Sequence, residues 1–386
     1  MNVTGYSYPW DYVGDPEAAH RAATLGVDVV ALAASYHAAR VVSPLHPTRL
    51  VTDVPYAACY TPRREEAWRD HRLSPGVPSW LDSEDSFVAA QRRLADEGLD
   101  VDAWIVLTHF DDVGNEVPEL VVRNAFDEPY PYALCPRAED VQEYCLTLVA
   151  EILQTTNLRG VVLEACGPMG FEHASTHDKS EFAQLSAVDE QLLSICFCRW
   201  CRVALRERGV DDRDLARRVR ASLATNATSL DDALGDELAT EVSAHRVALA
   251  TTLRRALVER IRHEQPSATI TLHASAQRWA TGSFSPSGEG AALADVTTAV
   301  ANCWNASSAT AELLSLSEVA RGHATLGGYL RVDRGWSDDA LVNETIRRYV
   351  ENGMQELHLY HLGLLSRASL ATAQQLVTAF REQWTS

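Results

Sequence analysis

Lysine is almost missing from this chain. Of 34 basic residues, one is Lys179 and the other 33 (34 − 1) are arginine. A Schiff-base aldolase, a pyridoxal-phosphate enzyme, a P-loop nucleotide binder or a barrel hydrolase with a carbamylated lysine would each have to rest on that single residue. Neither a strand-end lysine nor a GxxxxGKS/T segment is present, so these four classes drop away. Long apolar stretches are also missing: no run approaches the roughly 18 residues of a membrane span. The start, MNVTGYSYPWDYVGD, has no basic region followed by an apolar one, so a cytoplasmic location is expected. Positive charge is in deficit, with 53 acidic residues giving a net −19, which repels polyphosphates and argues against a nucleic-acid partner.

A glycine-rich phosphate loop is absent too. GYSYPWDYVGD carries its two glycines at the wrong spacing, which speaks against an open dinucleotide-binding sheet. What is present is an alternation of strand and helix signals. Strands are expected at Val3–Tyr8, Val27–Ser35, Val101–His109, Gly160–Ala165, Ala268–Ala274, Val296–Cys303, Leu326–Val332 and Glu356–Leu362. Helical periodicity fills Pro16–Leu25, Glu84–Glu97, Ala138–Thr155, Asp236–Glu264, Ala309–Ala320, Asp338–Asn352 and Ala368–Gln383, with Ser337 before one helix, Gly353 after it and Pro266 closing the long one. Eight apolar strands followed by helices predict an α/β fold, a (β/α)8 TIM barrel, as one domain over residues 1–386. Two insertions interrupt it, at about 43–82 and 167–234. On the catalytic face of a barrel, long loops of this kind build the pocket.

Eight cysteines occur, three of them in CFCRWC as Cys196, Cys198 and Cys201. Thiolates spaced this tightly, in a chain expected to stay in a reducing compartment, suit a tetrahedral soft cation better than disulfides. A fourth ligand is expected at Cys135, just before a helix; Cys145 lies on an apolar helix face and reads as core. Four thiolates would close the coordination shell, giving a structural zinc that staples the second insertion.

This pattern, with the CP cysteine of ALCPRAEDVQEYC and the helix CRVALRERGVDDRDL after the cluster, resembles the zinc-binding insertion of glycoside hydrolase family 42 β-galactosidases. The resemblance covers about residues 130–215. It implies that Cys135, Cys196, Cys198 and Cys201 bind zinc together, and that Glu164 in RGVVLEACG is the acid/base glutamate ending strand four. Three departures point to a distant relative with another substrate. Leu163 stands where that family has Asn, strand seven (LGGYLRVDRGW) offers Asp333 instead of a nucleophilic Glu, and the loop from Glu164 to Cys196 is longer.

The strand ends carry a ring of polar and aromatic residues: Tyr8, Trp10 and Asp11 after strand one, then Tyr36 and His37, Thr108 and His109 with Asp111 and Asp112, Glu164, His273, Trp304 and Asn305, Arg331 and Asp333, and finally Tyr360 and His361. In a barrel these converge on one mouth. Aromatic faces mixed with hydroxyl-binding groups suit a carbohydrate. The expected reaction is glycoside cleavage, with Glu164 as general acid after the desolvating run GVVL and Asp333 as its partner. Asp11, then Asp111 or Asp112, are the next candidates for that partner. Trp10, Asp11, Tyr36, His37, His109, His273, Trp304, Asn305, Arg331, Tyr360 and His361 are the expected sugar-binding set. Two rival readings stand beside it: a metal-dependent sugar isomerase or lyase using the strand-end histidines, and a non-catalytic sugar-binding barrel. The loop GFEHASTHDKSEF, with Glu172, His173, His177 and Asp178, is either a lid or solvated surface. A homo-oligomer is compatible with all three readings.

Overall fold

The computed structural model describes residues 1–386 except 82–84, 112, 173–178, 226, 289–292, 333–334, 337 and 385–386. Eight parallel strands close into a barrel: β1 Val3–Ser7, β2 Val29–Tyr36, β3 Asp100–Val106, β4 Gly160–Glu164, β5 Thr269–Ser275, β6 Thr298–Asn302, β7 Thr325–Arg331 and β8 Glu356–Tyr360. Each pairs with its neighbour in chain order, and β1 pairs with both β2 and β8, which leaves the barrel without an edge. The strands read as unbroken apolar runs because both of their faces are covered, one by side chains inside the barrel and one by helices. In β4 all five residues are buried.

The outer helices follow the expected segments: α1 Ala18–Thr24, α2 Ser86–Asp96, α3 Glu139–Thr155, then three helices of the second insertion, α4 Ala187–Leu193, α5 Arg199–Glu207 and α6 Asp212–Ser222, and after them α7 Asp236–Glu264, α8 Ala306–Ala320, α9 Asp339–Glu351 and α10 Arg367–Glu382. Their starts are set by side chains that accept from otherwise unpaired backbone N–H groups. Asn305 accepts from Ser307 and Ser366 from Ser369. For α9 the cap is Asp338, accepting from Leu341, one residue later than the serine that the sequence suggested.

The insertion holding α4 to α6 has an apolar cluster of its own, where Leu192, Ile195, Phe197, Leu205, Leu215 and Val219 pack with Val242 of α7. An antiparallel hairpin between β3 and α3, Val121–Arg123 with Pro129–Leu134, is a further excursion that periodicity did not reveal. It delivers Cys135 to the start of α3, where the Cys135 N–H donates to the Leu120 carbonyl at 2.8 Å. Among the described residues, no helix is long and apolar enough to cross a membrane.

Candidate active site and cysteine centre

At the carboxyl ends of the strands lies a cavity of about 800 Å³, and Glu164 forms part of its lining. The residue is 6% exposed. Its Oε2 accepts from Nε1 of Trp104 on β3 at 2.7 Å, and its Oε1 accepts from Oγ of Ser283, in the loop after β5, at 2.9 Å. Burial pushes the carboxyl up to about 7, while Ser283, Trp104 and His109 pull it back. The backbone beside it is clamped as well. Thr108 Oγ1 donates to the carbonyls of Ala165 and Gly167, at 2.7 and 2.9 Å. Ala165 adopts φ 52°, a left-handed conformation that non-glycine residues rarely hold without support. The result is a firmly held carboxyl facing a cavity, with a proton affinity raised by burial into the range that proton donation to a leaving group requires.

The walls are aromatic. Tyr36, Trp104, Trp279, Phe284, Trp304, Tyr329 and Tyr360 line the cavity, with the rings of Trp304 and Tyr360 centred 5.0 Å apart. Trp304 is 38% exposed, with Tyr329 stacked on its ring at 5.8 Å between centres. The guanidinium of Arg331 stands 5.5 Å from the Trp304 ring. Of the expected sugar-binding set, Tyr36, His37, His109, Trp304, Asn305 and Tyr360 line this cavity together with Glu164. Asn305 also accepts from the Ser307 N–H to start α8.

Arg331 is not part of the lining, and four further expected residues lie elsewhere, each for a local reason. Trp10 is in a short 3-10 turn, Pro9–Asp11, that folds its ring against Tyr8 at 4.5 Å and edge-on to Tyr60 at 5.3 Å, fully buried. Asp11 closes the same turn, its Oδ2 accepting from the Tyr8 N–H at 2.8 Å and its Oδ1 from Ser43 Oγ at 3.2 Å. His361 sits behind Tyr8, at 4.1 Å between ring centres, and its Nδ1 accepts from the Gly363 N–H. Burial lowers its pKa to about 3, so it is neutral. His273 lies one layer below Glu164 in the barrel, with no exposed surface. Asp333, Asp112, His173, His177 and Asp178 fall outside the described residues.

Several lining residues were not legible in the sequence. Trp104 reads as one more apolar strand residue, and Ser283 and Trp279 as loop. Besides Glu164, the described carboxylates of the cavity are Glu172, Glu190 and Glu312. Burial, then the nearby Glu172, push Glu190 up to about 7. Ser275 Oγ donates to Glu312 at 2.5 Å.

Among the described residues, the histidines contribute to one group close enough to share an ion. His37, His109 and Asp111 approach one another, with His109 Nε2 3.6 Å from Asp111 Oδ1. The two imidazoles, however, stack at 4.1 Å with 14° between their planes. Ring nitrogens bind a metal in the ring plane, and parallel stacked planes cannot share one ion in both. Asp111 Oδ2 already accepts from the Ala38 N–H at 2.5 Å. The pair suits hydroxyl binding better.

The cysteines do converge. Cys135 Sγ lies 3.5 Å from the sulfurs of Cys198 and Cys201 and 3.8 Å from that of Cys196. A tetrahedral ion with bonds of about 2.3 Å to sulfur sets its four sulfurs about 3.8 Å apart, so the four thiols fit one such ion. Backbone N–H groups of Cys198 and Cys201 donate to the sulfurs of Cys196 and Cys198, both at 3.5 Å, as thiolates in a metal centre accept. Two residues before Cys196, the Ser194 carbonyl accepts from Nη1 of the buried Arg246 at 3.0 Å. Nη2 of the same arginine donates to the carbonyls of Trp279 and Ala280, at 3.2 and 2.9 Å. The cysteine centre is thereby tied to the cavity wall.

No family model matches the sequence, and no curated protein matches it. Solved structures do. An α-L-fucosidase, isoenzyme 2, from Paenibacillus thiaminolyticus superposes with a TM-score of 0.60 at 12% identity, over 100% of this chain and 50% of its own length. The glycoside hydrolase domain of PgaB (BpsB) from Bordetella bronchiseptica gives 0.57 at 12% identity, over 97% and 98%. A catalytic mutant of Gan42B, a GH42 β-galactosidase from G. stearothermophilus, gives 0.56 at 11% identity, over 99% and 57%. This chain thus spans about half the length of the fucosidase and somewhat more of the β-galactosidase. At these identities the likeness is one of fold: the chain is a TIM barrel of the kind found in glycoside hydrolases.

Proposed function

We propose that the protein is a glycoside hydrolase acting on a small glycoside or oligosaccharide, with Glu164 as general acid. The observation that carries this reading is the state of Glu164: a buried carboxyl at the end of β4, hydrogen-bonded through both oxygens, held near neutrality and facing an aromatic cavity. A cavity of this size is in the range of small-molecule sites. Trp304 offers a face for a sugar ring, and His37 and His109 offer ring nitrogens to its hydroxyls. For the second carboxylate we keep Asp333, by its position after β7, with Glu312 and Glu190 as the described alternatives in the cavity. The four cysteines would hold a structural zinc, whose closed shell leaves no position for substrate and which would fix the insertion against the barrel.

The test is a panel of aryl glycosides with wild type and Glu164→Gln. Hydrolysis of at least one glycoside, reduced about 10²–10⁴-fold in the mutant, is the expected result. Equal hydrolysis by the mutant of the glycosides with the least acidic phenols refutes the assignment. Saturable sugar binding with no turnover on any glycoside would instead support a binding barrel.

A further inference from the structure

Helix α7 carries the two buried arginines among the described residues, Arg254 at 2% exposure and Arg246 at 4%. Arg254 follows the rule for a buried charge, its Nε donating to Asp295 Oδ2 at 3.1 Å. Arg246 does not. Its Nη1 and Nη2 donate to the carbonyls of Ser194, Trp279 and Ala280, and its Nε is buried without an acceptor. The Trp279 ring, 5.7 Å from the guanidinium, is a neutral partner as well. In a chain with 53 acidic residues, no carboxylate among the described residues pairs with this buried cation.

The groups of opposite charge that act on it are cysteines. Burial lowers Arg246 to about 10, and Cys196 and Cys201 draw it back up. A divalent ion held by four thiolates leaves two negative charges in a buried place. The arginines that flank the cluster in sequence are otherwise engaged: Arg202 pairs with Asp212 at 2.8 Å and Arg208 with Glu241 at 3.4 Å, while Arg199 is exposed and Arg137 half-buried.

We propose that Arg246 is the counter-charge of the metal–thiolate centre and that, through it, metal occupancy sets how firmly the loop after β5 is held at the cavity. Metal binding to thiols releases their protons and so creates negative charge at the centre. A guanidinium already in place favours the bound form, and by reciprocity the bound form holds the guanidinium more firmly on its three carbonyls. The loop concerned, 277–283, carries no metal ligand. Gln277, Trp279, Ala280, Thr281 and Ser283 of this loop line the cavity, and Ser283 Oγ donates to Glu164 at 2.9 Å. The Ser283 carbonyl also accepts from the Ala165 N–H at 3.1 Å, so the loop holds both Glu164 and the strained residue after it. Arg246 thereby acts as a positioning residue between the two sites.

The inference rests on the reading of the four cysteines as a metal site, and on Glu164 for its catalytic meaning, but its test needs no substrate. In the wild-type chain, stripping zinc with a chelator should speed amide hydrogen exchange in 277–283 as well as in the ligand-bearing segment 194–201, and added zinc should reverse it. Trp279 also packs against the insertion's own apolar cluster, so two variants single out the charge. Arg246→Gln keeps a donor for a carbonyl but removes the charge. Its zinc affinity, by competition with a chromophoric chelator, should fall about 10–100-fold, and exchange in 277–283 should no longer respond to zinc. Arg246→Lys restores the charge with fewer donors and should recover most of the affinity. Affinities within about twofold in wild type and both variants, or lysine no better than glutamine, overturn the inference while the metal centre stands. So does wild-type exchange in 277–283 that ignores zinc, a result that needs no variant to fold. A wild-type chain that binds no zinc overturns the metal centre and the inference together. A zinc-responsive loop in a protein that hydrolyses no glycoside overturns the hydrolase reading alone.

Discussion

A carboxyl buried at a strand end can be stabilised by pairing with a cation or by keeping its proton, and Glu164 is arranged for the second. Its two hydrogen-bond donors, Trp104 and Ser283, are neutral, so burial prevails and the group titrates near 7. Two consequences follow. A general acid works only when protonated, so kcat/KM for an unactivated glycoside should fall as pH rises through about 7, and a pH–rate profile checks this. Folding stability should change in the same sense. The native carboxyl binds its proton more tightly than the unfolded one, so this group's contribution is complete below about 4.5 and is lost as pH rises to about 7. Urea titrations across that window should show a shallower fall in Glu164→Gln than in wild type. At this scale the sequence was informative about Glu164, because GVVL before a glutamate announces a buried strand end. It was silent about Trp104 and Ser283, since neither a tryptophan inside an apolar run nor a loop serine carries a positional signal. Trp10 and His361 were misplaced because a 3-10 turn and a chain reversal after the strand ends direct them behind Tyr8, which strand alternation cannot foresee.

The insertion after β4 shows what a whole element contributes. Its own apolar cluster is small, its residues Glu190, Gln191 and Ser194 line the cavity themselves, and Arg246 ties them to the loop after β5 by reaching the carbonyls of Ser194, Trp279 and Ala280. Arg246→Ala would leave the buried Ser194 carbonyl and the half-buried carbonyls of Trp279 and Ala280 without their donor and should cost about 3 kcal/mol in urea unfolding, with weaker substrate binding because all three residues line the cavity. Metal analysis should find about one zinc per chain in wild type and none in Cys198→Ser, with a lowered Tm in the mutant. Zinc retained in that mutant would contradict the four-thiol centre. The cluster was legible because CFCRWC is compact in sequence. Its fourth member was assigned by its place before α3, and the hairpin that carries it there was not foreseen, since short antiparallel strands leave little periodicity.

Over the whole molecule, barrel closure gathers residues as distant as Tyr36 and Tyr360 around one cavity, and that convergence could be read from the order of eight strands alone. Substrate identity could not, because the cavity is lined by the insertion after β4 and the loop after β5, which follow no periodic rule, while the insertion at 43–82, expected to share in the pocket, gives it no lining residue among those described. The near absence of lysine and the net charge of −19 exclude whole chemistries by composition, and the stacked His37 and His109 weigh against the metal-dependent reading that the sequence left open. The proposed activity turns on one proton, the one held by Glu164. Its most direct measurement is the leaving-group dependence of hydrolysis, comparing wild type with Glu164→Gln on aryl glycosides whose phenols span a wide range of acidity. Poor leaving groups need the acid and good ones do not, so the expected result is a large loss of kcat/KM on the least acidic phenols that shrinks toward nothing on the most acidic. A loss of the same size across the series, or none at all, would contradict the assignment of Glu164 as general acid.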